Sequence, residues 1–346
     1  MIPLAALLVI LCAGPLVFVL SDQIRRHAVK LGLIDIPNER SSHSTPVPRG
    51  GGVAIAGVFL ASLPLLALSA GGAWPLNTAL YGAGALITLV GFVDDRSHIP
   101  AHKRLVIHFL AAGWIAYSIF IAPAADGHIG NPYFWLATAG FTLFLVWLLN
   151  LYNFMDGIDA ITGSETITVS LGAALLSWYQ APEDPSWIIL LLLASSVSGF
   201  LTWNLPPARL FMGDSGSAFL GIVIGALAVH ATQISTPLFY AWIILLGVYL
   251  VDATITLLRR VAAGEKFYQA HRTHAYQHAA LRLGSHGRVS LAVALINIFW
   301  LLPAAAAVTL GLIDGPVAIA VTYLPLIAIA FRFNAGIREI TTQDPV

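Results

Sequence analysis

The chain has 346 residues, of which 58% are hydrophobic and only 10% are charged, against roughly 25% charged in soluble domains. Too few polar side chains remain to cover a soluble fold of this size, so lipid must be the solvent for most of the surface. The 17 basic and 17 acidic residues balance, and with no basic stripe nucleic acid is excluded as a partner. The single cysteine, Cys12, excludes a disulfide framework and reads as core or lipid-facing filler.

About 20 apolar residues cross a ~30 Å hydrocarbon layer as a helix. In chain order such runs fall near 2–20, 51–70, 77–93, 105–122, 133–149, 161–179, 187–203, 216–231, 236–257, 290–309 and 315–331. The first run has no basic residue ahead of it and is followed by Arg25, Arg26 and Lys30. That is the reverse of a cleaved signal, so a retained first helix is expected. One set of loops, about 21–50, 94–104, 150–160, 204–215 and 258–289 with the tail beyond 331, holds all 17 Lys and Arg. The other set holds none. By the positive-inside rule the charged set is cytoplasmic. The expectation is an all-α integral membrane protein, a single polytopic domain over 1–346. It has about eleven transmembrane helices, the N-terminus outside, the C-terminus cytoplasmic, and the active site on the cytoplasmic face.

The polar residues gather in those same loops. In the first, Arg40, Ser41, Ser42, His43, Thr45, Pro46, Pro48, Arg49 and Gly50-Gly51-Gly52 predict a fixed turn feeding the second helix. Asp94 and Asp95 follow the third run. Two adjacent carboxylates, each costing ~2.5–3.5 kcal/mol at the bilayer centre, belong at an interface. There they hold a metal or a phosphate-bearing cation, or merely solvate a helix end. Asn153, Asp156 and Asp159 are spaced by three, which predicts one shared helix face. Their loop has no basic residue, so the acids ask for a metal or a bound cation; a plain turn explains Gly157 but not the spacing.

Asn204 and the stretch Arg209 to Ser217 lead into the eighth run. Glycines there allow close approach to a ligand and a helix N-terminus offers N–H groups to an anion, although Asp214 also suits a simple N-cap. The longest loop carries Arg259, Arg260, His271, Arg272, Thr273, His274, His278, Arg282, His286 and Arg288, a supply of charge and donors for phosphates. Zinc at His271, His274 and His278 ranks lower, because no cysteine or carboxylate completes the set. Asp252 reads as a structural partner of that loop. His108, His128 and His230 have no partners in the pattern and read as structural or exposed; Glu165 is left open.

Taken in order, Thr45 to Gly52, Asp94-Asp95, Asn153-x-x-Asp156-Gly157-x-Asp159, Asn204, Phe211-Met212-Gly213-Asp214-Ser215-Gly216-Ser217 and the His271–His278 loop resemble the polyprenyl-phosphate N-acetylhexosamine-1-phosphate transferases, glycosyltransferase family 4. The likeness runs from about residue 21 to 290. It implies transfer of N-acetylhexosamine-1-phosphate from a UDP-sugar to polyprenyl (undecaprenyl) phosphate, with release of UMP, in a bacterial inner membrane. By match to the family motifs, Asp214 would be the ligand of Mg²⁺, or of Mn²⁺ in its place. Asp94 and Asp95 would organise the metal and the lipid-phosphate end. Asn153, Asp156 and Asp159 match nucleotide-side and metal-proximal positions. Asn204 matches a nucleoside-contacting position and Arg104 a phosphate-facing one, while His271, Arg272 and His274 would hold the diphosphate or the sugar. Membrane lipid is a partner, and a homodimer is compatible with the family.

Two departures narrow the expectation. Ala160 stands where the family often repeats glycine, which reads as a packing change. His-Arg-Thr-His at 271–274 lacks the consecutive histidines of the peptidoglycan branch, argues against a muropeptide donor, and is closer to the branch that initiates lipid-linked O-antigen. Two other readings stay on the table: a transporter for an anionic substrate, which calls for mid-membrane charges and a repeat that are missing, and another membrane phosphotransferase such as the CDP-alcohol type, which calls for aspartates on two adjacent helices.

Overall fold

The computed structural model describes residues 2–37, 45–70, 74–97, 99–123, 130–265 and 271–337. Arg40, Ser41, Ser42, His43 and His128 lie outside the described residues. The chain runs through α1 (Leu4–Leu31), the two-residue strands β1 (Ile34–Asp35) and β2 (Val47–Pro48), then α2 (Gly51–Ala70), α3 (Trp74–Arg96) and α4 (Ala101–Ala116). It continues with α5 (Pro132–Met155), α6 (Ile161–Gln180), α7 (Ser186–Asn204), α8 (Asp214–Ile234), α9 (Thr236–Leu245) and α10 (Gly247–Ala262). The last elements are α11 (Ala275–Leu283), α12 (His286–Ile296), α13 (Leu302–Thr309) and α14 (Gly315–Arg332). Single π-helical turns extend α4 over Tyr117–Ile121 and join α12 to α13 over Asn297–Leu301.

Every one of the eleven apolar runs is helical. Among the described residues nine helices are long and apolar enough to cross a membrane, which makes this an integral membrane protein. The ninth run differs from a straight rod: it breaks at Leu246, so that α9 and α10 meet at a bend of 67°. The sixth run, α6, is helical over 20 residues but more polar. Thr166 and Thr168 donate to carbonyls one turn back, at 2.8 and 2.9 Å. Its fully buried Glu165 accepts from Asn297 Nδ2 at 2.6 Å, beside the π-helical turn.

The helix starts are written locally. Asn131, Ser235 and Asp314 each accept a backbone N–H of the first turn, and a proline follows in that turn, which places the missing donor where none is needed. At the other end of α1, Gly32 takes a left-handed φ of 69° and closes the helix. Cys12 lies exposed on α1, the lipid-facing alternative.

The bundle is organised around α8, which packs against α2, α3, α5, α6 and α9. Buried residues make up 78% of its apolar stretch, against 28% for α14. Small residues permit this: a Cβ added at Gly221 would sit 2.8 Å from Leu149 Cα on α5, so glycine lets the two backbones approach. At the far end of α8, His230 has a partner after all, Asp184 in the α6–α7 connection, at 2.9 Å.

Candidate active site

The N-terminus of α8 meets the C-termini of α3 and α5 and the N-terminus of α4 at one end of the bundle. Glycines set this junction. A Cβ on Gly52 would lie 2.1 Å from Gly216 Cα, and one on Gly91 would lie 2.5 Å from Ser215 Cα; neither space admits a side chain. Backbone bonds from Gly51 to Phe211 and from Gly52 to Met212 (3.0 and 2.9 Å) fasten the start of α2 to the strand-like approach to α8. The predicted turn over Pro48–Gly52 therefore feeds α2 and also braces α8.

Two acids, one cation and one amide follow from that packing. Arg104 Nη1 donates to Asp94 Oδ2 at 2.5 Å and to Asp214 Oδ2 at 2.9 Å. Asp94 Oδ1 accepts from the Ile99 N–H at 2.6 Å, which locks the α3–α4 turn. Asn153 Nδ2, in the last turn of α5, reaches Asp214 Oδ1 at 2.9 Å and Ser217 Oγ at 3.1 Å. Asp214 keeps 37% of its side chain exposed, whereas Asp94 keeps 4%. A cavity of about 30 Å³ opens beside them, lined in part by Asp94, Arg104, His108, Asn150, Asn153 and Asp214.

Asp156 joins the cluster from the C-cap of α5. Burial pushes its carboxyl up to about 8, and Asp214, Asp95 and Asp159 add repulsion in the same direction. At neutral pH, with no cation present, Asp156 is therefore protonated.

Asp95 behaves differently from Asp94. It is 2% exposed, and its two carboxylate oxygens accept from the N–H groups of Asp214 (2.9 Å) and Ser215 (3.2 Å). The Arg49 guanidinium donates to its main-chain carbonyl. Asp214 is thus the first residue of a helix capped from α3, with Gly213 in the N-cap position, and does not cap itself.

The expectation that Asn153, Asp156 and Asp159 share a helix face fails, because α5 ends at Met155. Asp159 turns away from Asp214. Its Oδ2 accepts from the Ala208 N–H at 3.1 Å, and His286 Nδ1 at the start of α12 lies 3.4 Å from both its Oδ1 and its main-chain N–H. Asn204 is buried with both ends of its amide committed to backbone: Oδ1 accepts from Ala160 N at 2.9 Å, and Nδ2 donates to Leu210 O at 3.0 Å. Ala160 itself sits at φ 66°, in the left-handed region. Its place in a glycine position is thus a matter of backbone conformation, not packing, and Asn204 holds it there.

The histidine loop docks beside this turn. Tyr276 Oη donates to Phe154 O at 3.0 Å. Asp252 of α10 accepts from the N–H groups of Ala275 and Tyr276, both at 2.9 Å, and lies 3.2 Å from His274 Nδ1. It is the loop's structural partner. His271 stacks on His274 with ring centroids 5.0 Å apart; burial, then the neighbouring His274, pull its pKa down to about 3, so it is neutral at physiological pH. Arg272 lines a separate cleft of about 510 Å³ together with Asp159, Gln277, Ser285 and His286. The structure therefore brings Asp94, Arg104, Asn153 and Asp214 together, sets Asp156 nearby, and distributes Asp159, Arg272, His271 and His274 around the neighbouring cleft and loop.

His108 and Asn150 were not singled out by the sequence pattern, yet both line the acid cavity. The signal existed: His108 is four residues after Arg104, and Asn150 three before Asn153, each on the same helix face. Among the described residues no three His, Cys, Asp or Glu side chains converge into a self-sufficient metal cage. Magnesium does not require one, since it is held by one or two carboxylates together with substrate phosphates and water. The open carboxylate of Asp214 and the second carboxylate of Asp94 on the same cavity fit that mode.

Fold and site together define a helical membrane protein that sets carboxylates against guanidinium and imidazole groups at one end of the bundle, the equipment for handling phosphates. Glycosyl transferase family 4 matches residues 77–232. The decaprenyl-phosphate N-acetylglucosaminephosphotransferase of Mycobacterium tuberculosis is 30% identical over 328 residues, covering 84% of this chain and 80% of that protein. A probable undecaprenyl-phosphate N-acetylglucosaminyl 1-phosphate transferase of Bacillus subtilis is 26% identical, covering 80% and 77%. The undecaprenyl-phosphate alpha-N-acetylglucosaminyl 1-phosphate transferase of Salmonella typhi is 28% identical, covering 79% and 77%. The chain belongs to glycosyl transferase family 4.

Proposed function

We propose that this protein transfers an N-acetylhexosamine-1-phosphate from a UDP-sugar to polyprenyl phosphate, in the presence of Mg²⁺, and so initiates a lipid-linked cell-surface polysaccharide. The observation that carries this reading is Arg104 bridging Asp94 and Asp214 at the head of α8, with Asn153 on the other oxygen of Asp214. The relatives named above support both the acceptor and the class of group transferred.

In the reaction an oxygen of the lipid phosphate attacks the sugar-bearing phosphorus, the bridging P–O bond breaks, and UMP departs with that electron pair. Bound Mg²⁺ supplies charge neutralisation for the diphosphate. Asp214 and Asp94 would hold it. Arg104 then faces the developing negative charge, and Asn153 orients the Asp214 carboxylate. Arg272 and the cleft with Asp159, Gln277 and His286 suit the anionic, hydroxyl-rich donor. Neutral His271 can donate a hydrogen bond without adding charge, and His274 stacks beside it against Asp252.

The arrangement of basic loops supports an N-terminus outside, a C-terminus inside and a cytoplasmic site in a bacterial inner membrane. The short histidine sequence supports initiation of O-antigen-type polymers. The test is UMP release by purified protein with undecaprenyl phosphate, Mg²⁺ and, in turn, UDP-N-acetylglucosamine, UDP-N-acetylgalactosamine, UDP-N-acetylfucosamine and UDP-N-acetylquinovosamine. Lipid- and metal-dependent UMP from one donor is the expected result. Folded protein that releases none from the whole panel would remove the transferase reading.

A further inference from the structure

Two helices at the site hand their first amides to a carboxylate on another helix. The N-cap of α8 is Gly213, which has no side chain to offer. α11 has a capping box between His274 and Gln277, yet its first amides, Ala275 and Tyr276, find their acceptor outside their own loop. The first N–H groups of a helix need acceptors, and in each case a carboxylate from another transmembrane segment supplies them. Asp95 of α3 takes the Asp214 and Ser215 N–H groups across 119 and 120 residues of sequence. Asp252 of α10 takes the Ala275 and Tyr276 N–H groups across 23 and 24. Both acids are buried, at 2% and 6% exposure.

Each cap also fixes a candidate residue of the site. The amide that Asp95 receives belongs to Asp214 itself. The imidazole that Asp252 meets belongs to His274, the residue just before the amides it caps. Space around Asp95 leaves no other job for it: a Cβ on Gly213, which sits at φ 77°, would lie 2.6 Å from Asp95 Oδ2. With both oxygens occupied and nearly no exposed surface, Asp95 has no face to turn toward a substrate.

We infer that Asp95 and Asp252 are a matched pair of positioning residues, cross-helix caps that set the Asp214 carboxylate and the His274 imidazole respectively, and that Asp95 takes no direct part in proton or phosphoryl transfer although its neighbour Asp94 lines the cavity. The inference deepens the transferase reading, and its first two measurements do not depend on that reaction occurring. Hydrogen exchange on the full chain reports the cap: in Asp95→Asn the amides at 214 and 215 lose protection, whereas in Asp94→Asn they keep it. Mn²⁺ titration followed by electron paramagnetic resonance reports the carboxylate: Asp95→Asn weakens binding by about 10–100-fold, as loss of a ligand's supporting partner does, and Asp252→Asn leaves it unchanged.

Kinetics complete the pattern, with Asp252→Asn raising the donor KM by about tenfold or more at near-native kcat. If Asp95→Asn is too unstable to purify, Gly213→Ala displaces the same cap without altering any charge and should give the same exchange and Mn²⁺ signatures. Wild-type protection and Mn²⁺ affinity in Asp95→Asn, with kcat lost and one limb of its pH profile gone, would overturn the inference and make Asp95 an acid–base group while leaving the reaction intact. Absence of UMP release from wild type, with the exchange and Mn²⁺ effects present, would overturn the reaction and leave the caps standing.

Discussion

The two halves of the site are built to different standards of rigidity. At the head of α8, five side chains from α3, α4, α5 and α8 share bonds of 2.5–3.1 Å, and glycines press the backbones together too closely for any Cβ. Around the histidines, three candidate groups come from one loop and the start of α11, tied down chiefly by Asp252 and by Tyr276 to Phe154. Phosphoryl transfer needs charges fixed to a fraction of an ångström. Recognition of one sugar among several tolerates a softer frame. On the proposed function, chemistry belongs to the first half and donor choice to the second.

The sharpest way to break that assignment is Asp214→Asn, which should lower turnover by at least ~10³-fold in the UMP assay while the protein stays folded. Substantial residual activity with normal metal dependence would move the chemistry elsewhere. Arg104→Ala should come next, at ~10²–10³-fold in kcat, because it leaves Asp94 and Asp214 facing one another without their shared cation. An effect confined to KM would make Arg104 a docking group. On the other side, His274→Ala should raise the donor KM ~10-fold and leave the lipid KM alone; equal change in both would place His274 among structural supports. His108→Ala, on the cavity but one turn below Arg104, should cost ~10-fold in kcat, and a donor-KM effect instead would blur the boundary between the halves.

The smallest effect is one of pH. Asp156 has its pKa raised to about 8, so the folded metal-free protein holds a proton there that the unfolded chain releases near 4. Its stabilising share is whole below the unfolded value and is lost as pH rises through about 8. His271, depressed to about 3, acts oppositely: stability falls as pH drops below its unfolded value of ~6.5 and is flat above it. Thermal melts in EDTA between pH 7 and 9 therefore include the Asp156 contribution, and Asp156→Asn should make the decline shallower. An unchanged slope in that variant would place the titrating group elsewhere.

Much of this was legible from residue order. The eleven apolar runs are all helical, and Asp94, Asp95 and Asp214 meet at one end of the bundle. What escaped the sequence was long-range or conformational. Nothing local to Asp95 says that its carboxylate is spent on amides 119 residues away, so it looked equivalent to Asp94. The three-residue spacing of Asn153, Asp156 and Asp159 suggested one face, but a helix that stops at Met155 sends Asp159 to His286 instead. The bend at Leu246 lies inside an unbroken apolar run with no proline at the break; hydropathy registers solvent preference and is blind to direction.

The burial of α8 has a consequence for life in real bilayers. Membranes differ in thickness by several ångströms, and a helix in contact with acyl chains responds by tilting or by dragging the lipid with it. Here the lipid-exposed periphery, α14 with 28% of its stretch buried and α1 with 33%, takes that adjustment, while α8 with 78% is sheathed by protein. Asp214 is thus mechanically insulated from its solvent, and turnover should hold steady across vesicles of short- and long-chain phospholipids even where melting temperature drifts.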